Sequence, residues 1–138
     1  MKKYMNLSRI FAGIILIAGL ASCEKPPGKG GKATVQGKLW GTDFDNTQRY
    51  PISRGYVAGE RVYIIYGNSN VVGDDMRTSH DGSYEFKYLT KGHYKVYALS
   101  LDTTEYFKGR DMTYPVMIEF DITEPNQVVT LEDLKINF

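Results

Sequence analysis

The sequence predicts an all-β fold, a single antiparallel sandwich of two sheets with about seven strands. Three observations predict it. Apolar and polar residues alternate in one short segment after another, as in strands that bury one face. Gly, Asn, Asp and Pro cluster between these segments, where tight turns need them. No window of ten or more residues shows convincing helical spacing.

The strand signal recurs along the chain in separate short segments. In the first, Val35, Gly37 and Leu39 alternate with polar neighbours, and in the last Leu134 and Ile136 do the same. The segments between them are rich in β-branched and aromatic residues, which suit a pleated sheet. The six segments are 33–40, 61–67, 83–87, 93–101, 115–122 and 133–138.

Two long connections, 41–60 and 102–114, interrupt this pattern. Connections of this length in a compact domain are uncommon and are often functional. Aromatic side chains in and beside them offer rigid stacking surfaces for a sugar or a protein partner. Each of these rings has an alternative role in packing between strands. The candidate ligand-binding residues are Trp40, Tyr50, Tyr56, Tyr106 and Phe107.

The N terminus has the organisation of a secretory signal peptide. Lys2, Lys3 and Arg9 precede an uncharged run, 10–20, which is shorter than the roughly 20 apolar residues that a membrane-spanning helix needs. Leu20-Ala21-Ser22-Cys23 then resembles the lipobox of bacterial lipoproteins, and Cys23 is the sole cysteine of the chain. An ordinary cleaved signal beside a stray cysteine is the alternative.

This resemblance implies that Cys23 carries acyl chains, palmitate among them, and becomes the first residue of the mature protein. The predicted organisation is a signal peptide at 1–22, a flexible tether at 23–32 and a β-sandwich domain at 33–138. The tether is rich in Pro, Gly and Lys and has no large apolar residue, so it reads as a solvated spacer. The expected location is the outer membrane of a Gram-negative bacterium, facing either the periplasm or the exterior.

The charge balance argues against nucleic acid as a partner. Without the leader, 14 Lys and Arg side chains stand against 16 Asp and Glu, a formal charge of −2. A nucleic-acid binder normally carries a basic face or stripe.

Both histidines lie in the stretch 79–100, which is the most regularly patterned part of the chain. Asp81-Gly82 is a strong turn dipeptide, and Lys91-Gly92 turns the chain again. His80 and His93 are 13 positions apart and lack the spacing of a zinc site. Grouped acidic residues in the loops lack the spacing of a calcium site. The sequence therefore predicts no metal site, no cofactor and no catalytic residue.

The spacing of apolar and glycine residues over 33–138 resembles the carboxypeptidase-regulatory-like, or transthyretin-like, β-sandwich. The resemblance implies a Greek-key topology and a module that acts in binding, spacing or assembly. The chain lacks the tyrosine-arginine-glycine-serine tail of hydroxyisourate hydrolases and the close histidine pair of intradiol dioxygenases. The matching residues are Val35, Gly37, Leu39, Ala58, Gly59, Val62, Tyr63, Ile64, Thr78, Asp81, Gly82, Tyr84, Phe86, Leu89, Gly92, Tyr94, Val96 and Ala98.

The expected function is that of a non-enzymatic, membrane-anchored module that binds an envelope protein or a glycan. The alternative is an accessory or catalytic domain of a transthyretin-like enzyme, with its site in the 41–60 and 102–114 connections. A structural subunit that accepts a partner strand at a sheet edge is a third possibility.

Overall fold

Two sheets packed face to face form the part of the chain that the computed structural model describes, residues 25–138 without 46, 48, 49, 107, 109 and 111. Nine strands and one helical turn, α1, lie within these residues. Their bounds are β1 Lys29–Phe44, β2 Pro51–Tyr56, β3 Arg61–Tyr66, β4 Val72–Arg77, β5 Ser83–Leu89, β6 Gly92–Leu101, α1 Thr103–Tyr106, β7 Thr113–Ile122, β8 Val128–Thr130 and β9 Leu134–Asn137.

The 16-residue strand β1 is the spine of the five-stranded sheet. Its first half pairs antiparallel with β5 and parallel with β8, so that Val35 lies between Phe86 and Val129. Its second half pairs antiparallel with β2 and parallel with β9. One long strand thus joins two pairs of shorter strands into a single sheet.

The second sheet has four antiparallel strands in the order β4-β3-β6-β7. Strand β6 lies in its interior and alternates most clearly, with Tyr94, Val96, Ala98 and Ser100 buried on one face. The core between the sheets is formed by side chains of both inner faces. Its members are Ala33, Val35, Leu39, Val62, Ile64, Tyr84, Phe86, Leu89, Tyr94, Val96, Ala98, Ile122, Leu134 and Ile136.

The predicted all-β sandwich is confirmed, and the details differ in two ways. Nine strands replace the expected seven or so. The six predicted segments do not include β2, β4 or the three-residue β8, whose side chains are mostly exposed. Such strands are held by backbone hydrogen bonds and leave no alternating apolar signal. Strands β8 and β9 run parallel to β1, so the five-stranded sheet is mixed.

The packed chain also begins earlier than the alternation predicted. Strand β1 starts at Lys29, and Gly28 is buried, within the segment interpreted as a tether. Hydrogen bonds between backbone groups of Pro26 and Gly28 and the hydroxyls of Thr90 and Tyr94 hold the start of this segment, so its polar composition did not indicate that it packs on the domain. The predicted signal peptide and Cys23 lie outside the described residues.

The 41–60 connection is largely a hairpin. Strand β1 continues to Phe44 and β2 returns beside it, so that Trp40 pairs with Tyr56 and Thr42 with Arg54. In the other connection, α1 is a single turn. Across the described ranges, no helix has the length and apolarity that crossing a membrane requires.

Candidate functional site

Trp40 and Tyr56 meet on the outer face of the five-stranded sheet. Leu39 and Gly41 are buried on the inner face, so the strand pleat turns Trp40 outward between them. Tyr56 is its cross-strand partner in β2. The two ring centroids are 5.1 Å apart and the ring planes are at 87°, an edge-to-face arrangement. Aromatic pairs favour this geometry, which here forms a two-walled corner.

This corner is part of a shallow cleft of about 400 Å³. Strands β2 and β9 flank β1 here, and the outward positions of all three carry polar or charged groups. Tyr56 remains 46% exposed, and Trp40 is half-buried. An aromatic floor with polar groups around it therefore faces solvent. The cleft is lined by Trp40, Thr42, Arg54, Tyr56, Asp133, Lys135, Ile136 and Asn137. We refer to it as the Trp40 cleft.

Polar contacts hold the tyrosine wall in place. The Tyr56 hydroxyl donates to the carboxylate of Asp133 at 3.2 Å. On the other side, the Lys38 ammonium lies 4.6 Å from the centroid of the Tyr56 ring, within cation–π range. The same ammonium pairs with Asp81 at 3.1 Å. The ring is thereby fixed at its hydroxyl and on one face.

Asp81 is ionised over the whole neutral range. Hydrogen bonds from the Ser83 hydroxyl and the Lys38 ammonium hold the pKa of its carboxyl far below the usual value. The hydrogen bond that Lys38 donates to Asp81 in turn raises the pKa of the Lys38 ammonium. An ion pair beside the cleft therefore orients Lys38 over Tyr56.

The Asp81-Gly82 turn brings this ion pair to the cleft. Gly82 has a φ of 76°, which glycine adopts without strain. Its carbonyl accepts the Leu39 amide at 2.9 Å, and a Cβ on it would come within 2.8 Å of the Tyr56 Cβ. The turn predicted from the sequence thus has a second role, since its lack of a side chain lets Tyr56 approach.

The remaining predicted residues do not join the cleft in the described structure. Tyr50 is 71% exposed, and its amide donates to Asp45 at 3.1 Å, away from the cleft lining. Tyr106 closes α1, but its side chain is outside the described part, and Phe107 is not described at all. Cys23 precedes the described residues.

Sequence reasoning missed a second aromatic pair, on the outer face of the four-stranded sheet. Tyr63 and Tyr97 are cross-strand partners in β3 and β6, with ring centroids 4.9 Å apart and planes at 15°. Both tyrosines occupy outward positions in segments where buried and exposed residues alternate. This alternation was the sequence signal that could have placed them on the outer face of the sheet. On its other side, Tyr97 pairs with Met117 of β7.

The two histidines have separate surroundings. His93 lies on the outer face of the four-stranded sheet, where Nδ1 is 2.9 Å from Asp121 and Nε2 is 3.3 Å from Glu119. His80 is exposed at the turn between β4 and β5. Within the described residues, no group of three or more His, Cys, Asp or Glu side chains is placed to hold a metal ion.

Comparisons with known proteins concern the fold. No protein-family model and no curated protein matches the chain. Solved structures similar to it include a proposed carbohydrate-binding protein from Pseudomonas aeruginosa, with 13% identity, a TM-score of 0.46 and coverage of 77% of this chain and 91% of that one.

Two further solved structures are enzymes. The 5-hydroxyisourate hydrolase of Klebsiella pneumoniae has 15% identity and a TM-score of 0.40, over 83% of this chain and 94% of that one. An (S)-allantoin synthase has 17% identity and a TM-score of 0.39, over 73% of this chain and 41% of that one. At these identities and scores, no activity follows for this chain.

Proposed function

We propose that the protein is a non-catalytic, glycan-binding lipoprotein of the cell envelope, anchored in an outer membrane through Cys23. The single observation that carries the glycan-binding part is the Trp40 cleft. The lipobox-like sequence that ends at Cys23 supports the anchor, and both parts are tested separately below.

The aromatic corner suits the apolar faces of a pyranose ring. A sugar presents C–H groups on its faces and hydroxyls around its edge. An aromatic ring offers a large rigid apolar surface with little entropy to lose on binding. Trp40 and Tyr56 stand at 87° to each other, so a sugar placed on one ring also meets the other.

The rim of the cleft suits the hydroxyls. Asp133 and the Asn137 carbonyl accept hydrogen bonds, whereas Arg54, Lys135 and the Asn137 amide donate them. The rim therefore offers both donors and acceptors to the hydroxyls of a sugar, each of which can donate and accept a hydrogen bond. This mixture of charges favours an uncharged, hydroxyl-rich ligand over a strong polyanion.

The shape of the cleft argues for binding in place of turnover. It is shallow and open, and it lies on the flat face of a sheet. Catalysis usually relies on groups that are excluded from water and shifted in pKa by burial. Asp81, which lies beside the cleft and has a strongly lowered pKa, is exposed and held ionised by hydrogen bonds.

Glycan binding is tested by a glycan-array screen with the purified mature chain, followed by titration calorimetry of any hit. We expect saturable binding of one class of neutral glycan, weakened in Trp40→Ala and retained in Tyr97→Ala, which removes an aromatic ring from the opposite sheet. Binding that survives Trp40→Ala, or substrate turnover that one substitution abolishes, would contradict the proposal.

The anchor is tested by mass spectrometry of the protein recovered from envelope membranes. We expect a mature chain that begins at Cys23 and carries acyl chains. The matched variant, Cys23→Ala, should be unacylated. If the natural protein instead has an unmodified N terminus at another residue, the proposed membrane anchor is wrong. The proposal of glycan binding would be unaffected by that result.

A further inference from the structure

The outer face of the five-stranded sheet continues beyond the Trp40 cleft. Strand β1 turns Gln36, Lys38, Trp40 and Thr42 to this face, because every second side chain of a strand points the same way. The cleft occupies the half of the face around Trp40 and Thr42. A second groove, with a volume of about 630 Å³, lies over the half around Gln36 and Lys38. We refer to it as the Gln36 groove.

The strand register places the Gln36 groove in line with the cleft. Gln36 lies between Glu85 of β5 and Thr130 of β8, and these three residues form one row across the sheet. The row that contains Trp40 crosses the sheet in the same way, through β2 and β9. Trp40 lies four residues beyond Gln36, which is about 13 Å of strand. The two sites therefore follow each other along β1.

Lys38 joins the two sites. Its side chain lines the Gln36 groove, and its ammonium lies 4.6 Å from the centroid of the Tyr56 ring, which is one wall of the cleft. Its cross-strand partner in β5 is Ser83, another residue that lines the groove. The groove and the cleft are thus neighbours on one continuous sheet surface.

The Gln36 groove presents hydrogen-bonding side chains. The Gln36 amide donates to the Thr130 hydroxyl at 3.1 Å, and both side chains are exposed, so each keeps further donor and acceptor capacity for a ligand. Tyr84 is the aromatic residue of the described lining, but it is only 2% exposed and belongs to the core between the sheets. The groove therefore suits the hydroxyls of a sugar, whereas the cleft suits the faces of its ring.

Ion pairs balance the charges of the Gln36 groove. Lys38 lies 3.1 Å from Asp81, and Lys87 lies 2.9 Å from Glu85. Such exposed pairs add little to stability, but each cation here has an anion beside it. A surface with this balance favours neither a polyanion nor a polycation. The charge pattern thus points to an uncharged ligand.

We propose that this face binds an unbranched, uncharged glycan in an extended conformation, with one sugar in the Trp40 cleft and further units of the same chain in the Gln36 groove. The inference rests on the proposed glycan binding at the Trp40 cleft. A single pyranose ring is too small to reach from Trp40 to Gln36, whereas several linked rings span this distance. Because both sites follow one strand, an extended β-1,4-linked chain fits them better than a coiled α-1,4-linked chain.

Titration calorimetry with oligosaccharides of increasing length tests the inference. The purified mature chain is titrated with the β-1,4-linked series from cellobiose to cellohexaose and with the α-1,4-linked series from maltose to maltohexaose. We expect affinity in the cellobiose series to rise about tenfold from the shortest member to the longest, because one or two further hydrogen bonds form in the Gln36 groove. The maltose series should show no such rise.

A double variant assigns the gain to the groove. Gln36→Ala with Thr130→Ala removes two exposed hydrogen-bonding side chains, so it should abolish the gain with length and leave the affinity for cellobiose unchanged. Trp40→Ala should instead weaken the binding of every member. The matched control, Asn70→Ala with Thr113→Ala, removes one amide and one hydroxyl from exposed positions in the β3–β4 turn and in β7. It should retain the full gain with length.

Equal affinity for all lengths, or a gain that survives Gln36→Ala with Thr130→Ala, would overturn the extended site and leave glycan binding at the Trp40 cleft standing. A gain confined to the maltose series would overturn the extended conformation of the ligand. Failure of both series to bind would overturn the inference, and the glycan array then decides separately whether the proposed function fails as well.

Discussion

The two outer faces of the sandwich each carry one cross-strand aromatic pair, and the pairs differ in geometry. Trp40 and Tyr56 stand edge to face at 87°, whereas Tyr63 and Tyr97 lie nearly parallel at 15°. A stacked pair covers one face of each ring, and an edge-to-face pair covers a face of only one. The same sheet register thus gives an open corner on one side and a closed stack on the other.

The surroundings of the two aromatic pairs also differ, since those of the Trp40–Tyr56 pair are more polar. The Trp40 cleft is bordered by Arg54, Asp133 and Lys135, whereas Tyr97 has Met117 as its next neighbour across the strands. Burial raises the pKa of Tyr97, consistent with a ring that is partly withdrawn from water. Under the proposed function, the Trp40–Tyr56 pair serves recognition and the Tyr63–Tyr97 pair serves sheet stability, and substitutions can separate the two roles.

The largest effect is expected at the backbone beneath Tyr56. Gly82 and Gly59 have nearly equal φ values, 76° and 78°, but a Cβ on Gly82 meets the Tyr56 Cβ at 2.8 Å, and one on Gly59 meets nothing within 4 Å. We expect Gly82→Ala to lower the free energy of unfolding by about 2–4 kcal/mol, because backbone strain and overpacking both act.

Gly59→Ala is the matched control. It adds backbone strain without a close contact, and we expect it to lower the free energy of unfolding by about 1 kcal/mol. Urea denaturation measures both differences. Equal losses of stability in the two variants would show that the close approach to Tyr56 is unimportant.

The next largest effect is on glycan affinity. Trp40→Ala removes one wall of the corner, and we expect affinity to fall at least tenfold, or about 1.4 kcal/mol. Tyr97→Ala should change it less than twofold, because that ring lies on the opposite sheet. Calorimetry gives both values. A comparable loss in Tyr97→Ala would erase the proposed division between the two pairs.

Loss of a ring from the stacked Tyr63–Tyr97 pair should lower the stability of the protein. We expect Tyr97→Ala to lower the free energy of unfolding by about 1–2 kcal/mol, because a stacked contact and its buried area are both lost. Tyr97→Phe retains the ring and should cost less than about 0.5 kcal/mol. Chemical denaturation of both proteins measures the contrast, and similar losses would instead implicate the hydroxyl.

The smallest effect concerns the Lys38–Asp81 ion pair beside the cleft. The pKa of Asp81 is lowered in the folded protein, so the stability it contributes is present above its unfolded pKa, about 3.9, and is lost as the pH falls through the folded value. Natural protein should therefore exceed Asp81→Asn in stability at pH 7, and the gap should narrow below about pH 4.

Urea midpoints at pH 7 and pH 3 measure this gap. Ser83→Ala, which removes the leading hydrogen bond to Asp81, should reduce the pH dependence. A gap that is constant from pH 7 to pH 3 would contradict the assigned pairing.

The sequence predicted the buried strands well and the edge strands poorly. Segments such as 93–101 alternate because one face is buried, and β6 was predicted almost to its ends. Strands β2 and β4 are held by backbone pairing with little burial, so their side chains carry no pattern. The parallel pairing of β8 and β9 with β1 depends on chain crossings that local periodicity does not encode.

The sequence predicted the aromatic residues of the candidate site, but it did not predict which residues come together there. Trp40 and Tyr56 were both singled out, but their contact requires the register that pairs position 40 with position 56. That register is set by the hairpin, which the polar sequence between the strands did not reveal. Asp133 and Lys135 join the cleft only because the last strand returns beside β1.

Fluorescence titration of Trp40 tests the central claim most directly, since the chain contains no other tryptophan. Glycans that bind to the array should shift and saturate the Trp40 emission, with the same midpoint as calorimetry, and Tyr56→Ala should weaken the response. Calorimetric binding that leaves the Trp40 emission unchanged would contradict the claim, because the sugar would then bind elsewhere on the domain.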